Sequence, residues 1–60
     1  MKKMTMMELM RLTRIELTDL ARNLAVLIRD LPEGPTLDTA RANLCLIRRV
    51  LARGWTGPAP

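Results

Sequence analysis

The sequence predicts an all-α chain, a two-helix antiparallel hairpin that assembles as a homodimeric four-helix bundle. Three observations carry this expectation. Leucines and methionines recur every seven residues through two separate segments. A Pro-Glu-Gly-Pro run at Pro32–Pro35 divides those segments. β-branched and aromatic residues are few, with Trp55 the single aromatic, so no alternating strand pattern competes. All 60 residues form one domain: helix 1 about 5–31, turn 32–35, helix 2 about 36–53 and a mobile tail at 56–60.

Helix 1 opens with Thr5-Met6-Met7-Glu8, a capping box in which each of the two polar side chains meets the other's backbone amide. Met4 and Leu9 take the hydrophobic-staple positions around it. Met10, Leu17, Leu24 and Leu31 form one seven-residue series, and Met6, Thr13, Leu20 and Leu27 form its companion. Thr13 is the polar member of this seam, and its hydroxyl is expected to bond a backbone carbonyl one turn earlier; a role in setting register is the alternative. The helix is expected to stop at Leu31, because Pro32 disfavours helical geometry in the residue before it.

The short turn makes the two helices antiparallel neighbours. Thr36 is the expected N-cap of helix 2, with Asp38 in its first turn. Leu37, Leu44 and Leu51 repeat by seven, with Ala40 and Ile47 beside them. Gly54 suits the left-handed position after the helix, which places Trp55 where it can pack on Val50.

At 1.5 Å per residue the first helix spans about 39 Å and the second about 25 Å, so the first overhangs by about nine residues. That overhang is the methionine-rich end, and Met6, Met7, Leu9 and Leu12 are the candidate surface for a partner. The expected oligomer interface is Met10, Leu17, Leu20, Leu24, Leu27, Leu37, Leu44, Ile47 and Leu51. Leu12, Ile15, Val26 and Leu46 fall off the seam; a helix that touches two neighbours needs such a widened stripe.

The residue inventory points away from catalysis. The chain has no His and no Ser, and Cys45 is its single cysteine. That excludes an intrachain disulfide and argues against a zinc site; no cofactor is expected. Gly34, Gly54 and Gly57 fit turn and cap roles rather than a phosphate loop. Cys45 is read as a small, partly buried helix residue. The protein is therefore not expected to be an enzyme.

Ten basic and six acidic residues give a net charge of +4. Segment 5–31 is balanced, whereas Arg41, Arg48, Arg49 and Arg53 face only Asp38 in segment 36–53. These arginines suit the C-terminal end of a helix dipole and cover apolar surface with their stems. They are also the candidate nucleic-acid contacts.

The leading expectation is a non-enzymatic protein–protein interaction module, a homo-oligomer with the dimer favoured, which acts as an adaptor, antagonist or assembly factor and has a possible protein client. The alternative is a small nucleic-acid-binding regulator. A membrane role is disfavoured, because the longest aliphatic run is Ala25–Ile28 and Glu8 and Glu16 would face anionic lipid. The single cysteine favours a cytoplasmic location.

Overall fold

A computed structural model of the chain describes residues 2–54. The expected packing of Trp55 and the tail at 56–60 lie outside these residues. The described residues are mostly helical and contain no strand. They form α1 (Met6–Leu9), α2 (Arg14–Asp30) and α3 (Pro35–Ala52).

The single helix expected over 5–31 is instead divided, and Thr13 is the reason. Thr13 is an N-cap with extended backbone, φ −73° and ψ 166°. Its hydroxyl accepts from the Glu16 amide at 3.2 Å, and the Glu16 carboxylate accepts from the Thr13 amide at 3.1 Å. The same reciprocal pair opens α1 between Thr5 and Glu8. Each box satisfies two amides that a helix start leaves without partners, so a second start costs little. Thr13 therefore belongs to no seam, and it does not bond a carbonyl one turn earlier. That back-bond is made by Thr18, whose hydroxyl donates to the Arg14 carbonyl at 2.8 Å.

Between the two starts the chain changes direction. Turn bonds run from the Arg11 amide to the Glu8 carbonyl and from the Leu12 amide to the Leu9 carbonyl. This bend lets α1 pack on α3 instead of projecting beyond it. Leu9 is 1% exposed and joins Leu17, Leu24, Ala40, Ile47 and Val50 in one core. Met4, Met6 and Leu12 pack against that core. The expected uncovered overhang is thus corrected: the chain buries Leu9 and covers Met4, Met6 and Leu12 in part, while Met7 and Met10 stay exposed.

The segment before α1 is tied down by Asn43, 1% exposed in the middle of α3. Its carbonyl oxygen accepts from the Met4 amide at 2.8 Å, and its NH2 donates to the Lys2 carbonyl at 3.0 Å. A buried amide needs such partners, and among the described residues no buried side-chain polar atom lacks one.

α2 ends where Pro32 forces it to, with Leu31 extended at φ −77° and ψ 134°. The start of α3 differs from expectation. Gly34, not Thr36, is the N-cap, and Pro35 is the first helical residue, where its fixed φ fits and its missing amide costs nothing. Gly34 has φ 155° and ψ −175°, a combination open essentially to glycine alone. At the other end Gly54 takes the expected left-handed conformation, φ 77°. α2 and α3 pack along each other, and the Arg14 guanidinium at the start of α2 donates to the Leu51 carbonyl near the end of α3 at 3.4 Å. The described residues measure 40 × 18 × 15 Å.

Candidate functional site

Most of the leucines expected at an interface between chains are used within one chain. Leu17, Leu24, Leu37 and Ile47 are buried within the single chain. Leu20, Leu44 and Leu51 are half-buried and packed against the core. Only Met10 and Leu27 of that set are exposed. Two outer faces remain with features beyond ordinary surface.

The first is the side of α2 turned away from the core. Ile15 is 76% exposed and Val26 56% exposed. Eleven residues at 100° per residue bring the two side chains to within about 20° of the same direction. Leu17 and Leu24 mark the opposite, buried direction. Asp19 and Arg22 fall between Ile15 and Val26 on the same outer stripe, and both are exposed. Neither side chain has an ion-pair or hydrogen-bond partner among the described residues. The sequence marks Ile15 and Val26 as off-seam apolar residues; the charges between them gain meaning only once the α2 start at Arg14 fixes which face is which.

The second face belongs to α3. Arg41, Arg48 and Arg49 rim a shallow groove of about 460 Å³ with Ile28 and Leu44 on its floor. An adjoining depression of about 240 Å³ shares Cys45 and Arg49 with it and brings in Lys3. Among the described residues no carboxylate lines either one. None of these arginines has an ion pair among the described residues. Three of the four candidate arginines are therefore brought together, and Lys3 joins them from the far end of the chain. The Asn43 bonds to Lys2 and Met4 place that lysine, and no local sequence pattern announces it. Arg53 stands apart, beside Met6 and Met10 in a separate depression of about 120 Å³. Cys45 is exposed rather than partly buried.

Among the described residues no group of His, Cys, Asp or Glu side chains could hold a metal ion, and no helix is long and apolar enough to cross a membrane. The arrangement offers two surfaces suited to contact, a mixed one in which Ile15 and Val26 flank the unpaired Asp19 and Arg22, and a basic one. No protein-family model, curated protein or solved structure matches the chain.

Proposed function

We propose that this chain is a non-enzymatic helical interaction module that self-associates, two antiparallel hairpins joined as a homodimeric four-helix bundle. The observation that carries this reading is the exposure of Ile15 and Val26, two large aliphatics on the helix face opposite the core. Single exposed aliphatics are ordinary. These two lie on one stripe of the 17-residue α2, about 16 Å apart with Asp19 and Arg22 between them, a mixed face of the kind a second helix can cover. The Arg14 bond to the Leu51 carbonyl supports the hairpin, since it joins the first residue of α2 to the last turn of α3. Adaptor, antagonist and assembly factor are the roles such a module takes, with a protein client on a face the dimer leaves free. The single free thiol, Cys45, fits the reducing cytoplasm.

A second reading, a nucleic-acid-binding regulator, is favoured by one observation: Lys3 joins Arg41, Arg48 and Arg49 along a surface that, among the described residues, no acid lines. Phosphate contacts through such cations weaken steeply as salt rises.

One experiment addresses both readings. Solution mass is measured by light scattering over a dilution series, at low and high salt, with and without a short DNA duplex. Twice the chain mass at both salt concentrations is the expected result. A single chain mass throughout overturns self-association. Added mass with the duplex at low salt, lost at high salt, supports the second reading; no added mass removes it.

A further inference from the structure

We infer that the outer face of α2 is a self-complementary seam for a second copy of this chain, paired antiparallel about a two-fold axis at the level of Leu20 and Ala21. This rests on the self-association proposed above and specifies the surface that performs it.

The stripe reads Ile15, Asp19, Arg22, Val26, with steps of four, three and four. That is the spacing of a coiled-coil seam, in which successive side chains enter holes on a facing helix. The order is also symmetric in its chemistry: apolar, acidic, basic, apolar. In a two-fold pairing one patch meets itself, so a contact made once is made twice. Laid antiparallel, Ile15 meets the partner's Val26, and Val26 meets the partner's Ile15. Asp19 meets the partner's Arg22, and Arg22 meets the partner's Asp19. Two crossed ion pairs then occupy the centre, with an aliphatic layer closing each end.

Each component is free for this use. All four residues are exposed, and Asp19 and Arg22 have no ion-pair partner among the described residues. The orientation follows from charge. A parallel pairing in register sets Asp19 on Asp19 and Arg22 on Arg22, and like charges across a contact cost free energy. Shifting the antiparallel pair by one turn places an aliphatic against a charge and loses both ion pairs. A different protein as occupant would need no internal symmetry in this stripe. A second copy does, and the stripe has it.

The test uses the full chain in the same mass measurement. Asp19→Arg places arginine against the partner's Arg22, and Arg22→Asp places aspartate against the partner's Asp19. Each single variant is expected to fall to one chain mass where the parent has two, with its helical circular dichroism retained because both positions are exposed. The double variant Asp19→Arg/Arg22→Asp restores opposite charges across the axis and is expected to return to twice the chain mass. Ile15→Ser adds no charge. It gives an independent check, with dimer dissociation expected at a concentration at least about tenfold higher than for the parent, a shift of about 1.4 kcal/mol. A parent dimer that neither single variant nor Ile15→Ser disturbs overturns this seam and leaves self-association through another face standing. A parent that is a single chain at every concentration overturns both.

Discussion

Asn43 sits where the spacing of α3 calls for an apolar side chain, three residues after Ala40 and four before Ile47. Its amide is buried, and both of its ends are engaged by backbone atoms 39 and 41 residues away in the chain. Asn43→Leu fills a similar space with no hydrogen-bonding capacity and releases the Met4 amide. The expected cost is about 1–3 kcal/mol in denaturant unfolding, the usual penalty for stranding a buried polar group. Hydrogen exchange at the Met4 amide should accelerate in the same variant; an unchanged midpoint with Met4 still protected would contradict the clamp. Nothing near Asn43 in sequence discloses its partners, because they are main-chain groups common to every residue. The inward direction of Leu17, Leu24 and Leu37 was legible for the opposite reason, since it follows from their own side chains and their spacing, whereas the burial of Leu9 was not.

For the elements, the informative case is the division of the first half of the chain into α1 and α2. Two signals competed across Thr13. Seven-residue spacing favours continuity and hides the Thr13–Glu16 pair, which the structure shows as a second capping box; that box prevails because it satisfies donors that a bend would otherwise strand. The two possibilities give opposite signs for one substitution. In a continuous helix Thr13→Ala improves helix propensity and stabilises. At an N-cap it removes the side-chain acceptor and costs about 1 kcal/mol. Loss of stability is the expected outcome, with Thr13→Ser close to the parent, as read from urea melts followed by circular dichroism. α3 was legible almost to the residue, because Pro32, Gly34, Pro35 and Gly54 are stop and start signals that depend on backbone conformation alone. Its N-cap is Gly34 rather than the polar Thr36, because Pro35 already supplies the helical φ at the first position.

At the scale of the whole molecule, a chain of 60 residues has little apolar surface to spare. The burial of Leu9 shows how the chain meets that constraint, by folding α1 over α3 to close one core. The all-helical class was legible from composition and spacing, but this closure was not, because it depends on a bend whose direction no periodicity encodes. Removing residues 1–9 should therefore uncover Ile47 and Val50 and abolish the cooperative thermal transition. A truncated chain that melts as the full chain does would restore the idea of a detachable overhang. The same closure bears on how the chain comes to be folded in a cell. Residues 2–9 leave the ribosome before the α3 positions that receive them have been made. Until Asn43, Ile47 and Val50 emerge, Met6 and Leu9 lack the α3 side of their core, and joining them to it encloses the whole of α2 in one large loop. The capping boxes at Thr5 and Thr13 mark where α1 and α2 begin, but isolated helices of 4 and 17 residues are marginal in water, so both depend on docking onto α3 to become stable.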